Sequence, residues 1–333
     1  MKVSIKDIAQ ELKVSTAVVS LVLNGKEKEG RINKNTASKI KALASELNYT
    51  PNRFAQGLKK GKSNIIGLII ADISNPFYAK LARYIEDEAE KLNYKIIIGS
   101  SDESANKMAS LIEVMNTYQV DGFIIVPAEN SQDQIEKLIK DNQPLVLVDR
   151  YFEGMKANGV LVNNYETGYN ATKYLIDNGC KNIGAFTYKS TLRHYSDRLC
   201  GYKDALKASG LRCNENAIYH IRYNEIFHDV ALAFSKLLKS KTKYDGLFFA
   251  TDSLALNGIK TLNTQHINIT DTFKLISFDE NDTFGFLNFP VPHFAQPLDD
   301  IGKASVQMVL GQIENTEKLK IRKIVFKAKW FEK

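Results

Sequence analysis

Short apolar, β-branched runs in this sequence end repeatedly on polar residues of the kind that grip hydroxyl groups. Asp72 to Asn75 follow "NIIGLIIA", Ser101 and Asp102 follow "KIIIGS", Asp149-Arg150 follow "PLVLV", Thr251-Asp252 follow "DGLFFA", and Asp279 follows "FKLISF". A carboxylate and a guanidinium fixed in place bind vicinal hydroxyls by charge-assisted hydrogen bonds while neighbouring aromatic rings cover the apolar face. Asp149 and Arg150 pairing only with each other at a strand end is the plain alternative. Asp252 reads as a helix N-cap rather than a ligand. His194, His220, His228, His266 and His293 have no metal-ligand spacing, and only His194 would matter, if its loop reached the same place. No GxGxxG follows the first run and no P-loop is present. Without a paired acid and base, a nucleophile elbow or a metal cluster, neither an enzyme, nor a cofactor, nor a bound metal is expected.

The elements that must position these residues alternate between apolar runs and amphipathic stretches from Lys62 onward, which predicts an α/β fold of parallel sheets covered by helices. Asn64-Ile65-Ile66-Gly67 and Asn182-Ile183-Gly184 open two similar series about 118 residues apart. Two doubly wound lobes follow, the first over about 63–158 and 297–316, the second over about 161–292 and 319–333. "GVLVNN" and "FPVPHFAQPLDD" are the expected crossovers. Such sheets bind ligands at the carboxyl ends of their strands.

Ahead of this body lies a basic head. Residues 1–62 contain 13 Lys/Arg against 5 Asp/Glu, which leaves the other 271 near neutral within a chain of 333 residues and net charge +7. Ile5, Ile8, Ala9 and Leu12 form a helical stripe with Ser4 as N-cap. After a tight turn Ser15 caps a second helix, with Val19, Val22 and Leu23 inward and Asn24-Gly25 as its stop. A third helix from about Asn33 covers both through Ile40, Leu43, Ala44 and Leu47. Two short helices and a tight turn in a basic segment make a helix-turn-helix over 1–50. Its outward face, Thr16, Ala17, Ser20 and Leu21, has no charge and suits base edges in a major groove, while Lys2, Lys6, Lys13, Arg31, Lys34 and Lys39 surround it for phosphates. A purely structural three-helix bundle is the competing reading.

"YTPNRFAQGLKKGKSN" joins head to body. Pro51 ends what precedes it and Asn52 can cap a short helix to about Lys59, too short to be stable without a partner, so 51–62 is expected to fold only against something else. Cys180, Cys200 and Cys213 are odd in number and widely spaced, and read as reduced thiols. With no signal-like or membrane-spanning run, a soluble cytoplasmic protein with no membrane partner is expected.

"SIKDIAQELKVSTAVVSLVLNG", "ASKIKALASELNYTPNRFAQGLKKGKSNIIGLII" and "DISNPF" resemble the lactose/galactose repressor family of bacterial transcription regulators, and the likeness runs to the end of the chain. The resemblance implies a homodimer on a pseudo-palindromic operator, with Thr16, Ala17 and Leu21 reading bases and Leu58 wedged into the minor groove by a hinge helix. The DNA-contacting set it suggests is Ser4, Lys6, Ser15, Thr16, Ala17, Ser20, Leu21 and Asn24 in the head, with Asn52, Ala55, Leu58 and Lys59 in the linker. It also implies a periplasmic-sugar-binding-protein-like body. The match to pentose-binding members supplies Asn75, Phe77 and Tyr78 ("NPFY"), Asp149 and Arg150 ("DR"), Arg198, Tyr223, Asp279 ("FD") and Gln296 ("AQ"). Thr251 stands where Asn is common. In the head, Val18-Val19-Ser20-Leu21 departs from the frequent Thr-Val-Ser-Arg, Lys13 stands where Gly is common, and "KEKEG" lengthens the next loop. The effector expected is a small neutral sugar. A purine, a phosphosugar or a partner protein is the nearer alternative, and a sugar-acting enzyme with a DNA-binding head the remoter one.

Overall fold

A computed structural model describes residues 3–49, 62–314 and 321–332. The chain divides into two compact units, residues 1–63 and 64–333. The linker positions Asn52, Ala55, Leu58 and Lys59 lie outside the described residues, as does Lys2.

In the head, α1 (Ile5–Glu11), α2 (Thr16–Leu23) and α3 (Lys34–Glu46) enclose Ile8, Ala9, Val19, Val22, Ala37, Ile40, Leu43 and Ala44. Each helix starts on a polar cap, and those of α2 and α3 accept otherwise orphaned backbone donors. The Ser4 backbone N–H and hydroxyl both donate to Asp7, at 2.7 and 2.8 Å, the Ser15 hydroxyl accepts from Val18 N, and the Asn33 side chain accepts from Asn35 N. Asn24 closes α2 by donating to the Ser20 carbonyl at 2.7 Å, and Gly25 follows at φ +72°. Lys13, in the turn, sits at φ +53°. Ion pairs Lys26–Glu29 and Glu27–Lys41 tie the long loop to itself and to α3.

The body holds two six-stranded sheets. The first is built from β1 (Ile65–Ile70), β2 (Lys95–Ser100), β3 (Gly122–Ile125), β4 (Leu145–Val148), β5 (Asn158–Val162) and β11 (Lys323–Phe326), in the order β11-β5-β4-β3-β1-β2, all parallel. The second uses β6 (Ile183–Tyr188), β7 (Ile218–Ile221), β8 (Gly246–Phe249), β9 (Lys274–Phe278), β10 (His293–Ala295) and β12 (Lys329–Phe331), in the order β12-β10-β9-β8-β6-β7, with only β12 antiparallel. β1 and β6 therefore hold the same place in the two sheets, as their matching openings predict. Helices cover both faces, so strands read as nearly unbroken apolar runs. In the first lobe Ile66, Leu68 and Ile70 face α4 (Pro76–Lys91) and α12 (Leu298–Ile313). Ile69, Phe123 and Ile125 face α5 (Ala105–Thr117) and α6 (Gln132–Lys140). In the second lobe Phe186, Phe248 and Phe249 pack among α7 (Asn164–Asp177), α8 (Arg193–Ala208), α9 (Ile226–Leu238) and α10 (Asp252–Thr264), with the one-turn α11 (Ile269–Thr272) leading into β9.

The lobe boundaries need two corrections. The chain leaves the first sheet only after Val162, not near residue 158. Residues 323–326, expected in the second lobe, pair in register with β5 of the first, so the last crossing falls between Phe326 and Lys329. The tail is two edge strands for two sheets, separated by two residues.

Lys13 is left-handed without being glycine, which strains its backbone by about 1 kcal/mol or more. Lys13→Gly should slow amide exchange across α1 and α2 by an amount equal to about 0.5–1 kcal/mol, since glycine's own entropy cost offsets part of the relief. It should also lower the slope of log K for DNA against log salt by about one contact.

Candidate functional site

The cleft between the lobes is formed where strands of both sheets end. Asp149 after β4 and Asp279 after β9 occupy matching places and share a left-handed backbone, φ +66° and +72°, which turns each carboxylate inward. Asn75 caps α4 by accepting from Phe77 N, so Phe77 and Tyr78 lie in that helix's first turn. The Tyr78 hydroxyl donates to Asp149 at 3.2 Å and accepts from Arg150 at 2.7 Å. Across the cleft, Arg198 of α8 donates to the Asn164 side chain at 2.8 Å and to the Ala250 carbonyl at 2.6 Å, with its guanidinium 3.3 Å from the Phe278 ring centre. Glycine makes that position reachable: a Cβ on Gly168 of α7 would stand 2.2 Å from the Arg198 carbonyl, and one on Gly201 2.2 Å from that of Tyr165. Gln296, between β10 and α12, donates to Asp279 at 2.9 Å.

All ten residues expected at the cleft, Asn75, Phe77, Tyr78, Asp149, Arg150, Arg198, Tyr223, Thr251, Asp279 and Gln296, line one cavity of about 30 Å³. That is the volume of a single water. The lobes are drawn together around it. Tyr223 donates to Asp72 at 2.6 Å, Thr191 to Glu129 at 2.6 and 2.7 Å, and Lys80 and Arg193 pair with Asp282 and Glu153, each at 2.7 Å.

Glu103, Tyr188, His194, Tyr195, Asp252 and Ser253 line the same space and were not assigned to it from sequence. His194 reaches the cleft, but from the first turn of α8 rather than from a loop, and is 6% exposed beside Tyr195. Asp252 corrects the N-cap reading: Thr251 caps α10 by accepting from Leu254 N, and Asp252 is a buried first-turn residue bonded by Asn281. Asp149 and Arg150 approach each other only at 3.5 Å, and the guanidinium's close bonds go elsewhere. Ser101 and Asp102 do not line the cavity. Ser101 bonds the β1 carbonyls and Asp102 faces Lys107 and Ser100.

Burial sets the protonation states. It pushes Asp279 up to about 8, against the pull of Arg198 and with the help of Asp252. Burial also raises Asp149, against Arg150 and Arg198, and holds His194 well below its usual value, where both guanidiniums act in the same direction. Three buried polar atoms at the cavity have no hydrogen bond, Arg150 Nε, His194 Nδ1 and Gln296 Oε1, although Arg150 Nε lies 3.5 Å from the Asp149 carboxylate. Among the described residues no group of His, Cys, Asp or Glu could hold a metal ion, and no helix is long and apolar enough to cross a membrane.

On the head, Ser15, Thr16, Ala17, Asn24 and Lys6 are exposed, whereas Ser4, Ser20 and Leu21 are half-buried. Leu21 packs on the lengthened loop, since a Cβ on Gly30 would come within 2.8 Å of its Cδ1.

Residues 4–52 match the family described as bacterial regulatory proteins, lacI family, and residues 63–332 match periplasmic binding proteins and sugar binding domain of LacI family. The chain belongs to the LacI family. The LacI-family chain is 33% identical to catabolite control protein A of Priestia megaterium, over 93% of this chain and 92% of that one. It is 29% identical to the ribose operon repressor of Haemophilus influenzae, over 94% and 92%. Its fold matches the crystal structure of the Lac repressor dimer bound to operator and the anti-inducer ONPF with a TM-score of 0.82 at 18% identity, covering 100% of this chain and 98% of that one. This LacI-family protein is therefore a DNA-binding transcriptional regulator rather than an enzyme.

Asp279 carries its proton in the folded cleft but releases it at an ordinary carboxylate pKa when unfolded. Over about pH 4 to 8 the native state thus binds more protons than the unfolded one, and this group's contribution falls as pH rises. Thermal melts of the wild type should lose stability from pH 5 to 8 relative to Asp279→Asn. Identical pH profiles for the two proteins would contradict the protonated state.

Proposed function

We propose that this regulator represses sugar-utilisation genes as a cytoplasmic homodimer on a pseudo-palindromic operator, and that a small neutral sugar bound between the lobes changes its operator affinity. The observation that carries this reading is the set without hydrogen bonds at the cavity, the donor Arg150 Nε, the acceptor Gln296 Oε1 and the neutral His194 ring, all buried within reach of both lobes. Buried polar groups cost free energy until paired, and a polyol supplies donors and acceptors on one small frame. Asp149 and Asp279 accept or donate at the two sides, Arg198 supports the second lobe, Thr251 and Asn75 add polar edges, and Phe77, Tyr78 and Tyr223 cover the ring. Gln296 lies in the crossover between β10 and α12.

Small-molecule sites are typically clefts of about 300 Å³ or more, and about 30 Å³ is too little even for a small sugar, so the lobes must part to admit one and re-close around it. The contacts Tyr223–Asp72 and Thr191–Glu129 are where that motion makes and breaks bonds. Motion of one lobe against the other across a dimer alters the separation of the two linkers, and a coupling of about 1–3 kcal/mol is typical of such devices. In the proposed complex each linker forms a helix with Asn52 as cap, Ala55 and Lys59 facing DNA, and Leu58 entering the minor groove. This reading supports specificity from a recognition helix with few polar readers, because deformation of the central step adds to direct readout.

Two measurements test the reading. A sugar at about 100 times its dissociation constant should stabilise the protein by about 2.7 kcal/mol, and Asp149→Ala, if folded by circular dichroism, should lose that gain. A full response from the variant would remove Asp149 from the site. In the head, changing Thr16 and Ala17 together should change the site selected from a random DNA library. Lys6→Ala should weaken all sequences alike and reduce the salt slope by about one contact. An unchanged preferred site after the double change would show that α2 is not the reader.

A further inference from the structure

Arg150 has the role of gripping a ligand in the reading above, yet its guanidinium fork is already filled. Glu103 accepts from both terminal nitrogens at 2.7 and 2.7 Å, in a bidentate pair whose side chains are 2% and 17% exposed. One terminal nitrogen also bonds the Pro127 carbonyl at 3.2 Å and the other the Tyr78 hydroxyl at 2.7 Å. Only Nε is left without a hydrogen bond, with the Asp149 carboxylate 3.5 Å away. Glu103 reaches this position from the loop after β2, where Asp102 and Glu103 stand consecutively at φ +47° and +56°. Non-glycine residues adopt that conformation at a cost, and two in a row persist only when held. Asp102 is held by Ser100 and Lys107, and Glu103 by the Arg150 fork and by its own N–H on the Ala71 carbonyl.

The charges around the cavity follow the same pattern. Glu103, Asp149, Asp252 and Asp279 face two guanidiniums, Arg150 and Arg198, and Arg198 gives two of its nitrogens to Asn164 and Ala250. A phosphate or carboxylate is best recognised by a free, planar guanidinium fork. In this cleft such a ligand meets a fork already filled by Glu103, whereas a hydroxyl meets Arg150 Nε, Gln296 Oε1 and His194 Nδ1.

We propose that Glu103 is a specificity-determining residue: by filling the Arg150 fork it restricts the cleft to uncharged polyhydroxy ligands and excludes sugar acids and sugar phosphates. The inference rests on the cleft being a sugar site. Replacing Glu103 by glutamine keeps the size and some hydrogen bonding but removes the bidentate counter-ion at the fork, leaving only Asp149 at 3.5 Å from Nε, so an anionic sugar becomes the best available partner for the fork.

The test is calorimetric titration of the full-length protein, its Glu103→Gln variant and the charge-retaining Glu103→Asp variant. The probes are ribose, xylose and glucose, each beside its aldonic acid and its terminal phosphate. The wild type should bind at least one neutral sugar and discriminate against the matching anions. Glu103→Gln should bind an anionic probe about tenfold or more tighter than the wild type does, the size of one charge-assisted hydrogen bond, and Glu103→Asp should stay selective. Melting curves for each variant report whether the fold is kept, and rescue of a less stable Glu103→Gln protein by an anionic probe alone would give the same answer. If neutral sugars bind the wild type and Glu103→Gln gains no anion, the role of Glu103 is overturned while the sugar site stands. Anions bound as tightly as neutral sugars by the wild type would overturn it as well. If no probe binds any of the three proteins, the sugar reading falls and this inference with it.

Discussion

Two guanidinium groups buried between two lobes constrain nearly everything around them. Removing a charge from water is tolerated only where bonds and counter-charges replace the hydration. Arg150 obtains them from Glu103, Tyr78 and Pro127 on its own lobe, and Arg198 from Asn164, Ala250 and the face of Phe278 on the other. Each requirement reaches back into the backbone. Asp149 and Asp279 must turn through left-handed conformations to face inward, and α7 and α8 must touch at Gly168 and Gly201 for Arg198 to lie where it does. The sheets deliver these groups because their strands all finish on the same side. The contacts that join the lobes are a separate set, Tyr223–Asp72, Thr191–Glu129, Lys80–Asp282 and Arg193–Glu153.

The head solves a different problem by separating tasks. Lys6, Lys13 and Arg31 lie exposed around α2, while the helix itself shows only small or uncharged side chains. In the DNA complex proposed above, affinity that depends on salt and choice that depends on bases fall to different residues. Leu21 belongs partly to the fold: its contact with the Gly30 loop ties any base contact it makes to the conformation of "KEKEG".

Much of this could be read from residue order, and the gaps have physical causes. Apolar runs ending on Asp149-Arg150, Thr251 and Asp279 marked the cleft because a parallel sheet exposes its carboxyl ends by construction. Arg198, Tyr223 and Gln296 sit on a helix, a short turn and a crossover, where no periodicity signals direction, and only the family likeness pointed to them. Glu103 was hidden beside Asp102. Two adjacent acidic residues in a loop look alike in sequence, and the left-handed pair at 102 and 103 decides that one faces Lys107 while the other faces Arg150. The tail was misplaced for a related reason: "KIVF" and "KWF" are too short and too close together for pattern to reveal that they join different sheets.

That tail has a consequence for how the molecule is made. β5 waits for a partner strand that arrives some 164 residues later, at the contact between Arg322 N and the Asn158 side chain. The start of β4, at Leu145, is clamped by Gln312 of α12 across 167 residues. A chain growing from its N-terminus can complete the three-helix head early, from local contacts alone. The first lobe, although begun before the second, must keep one edge and one face unfinished until all of the second lobe except β12 has been translated. Contacts of such long sequence separation slow folding. The order of folding therefore differs from the order of synthesis, and the exposed edge of β5 is the segment that a nascent-chain chaperone has most reason to cover.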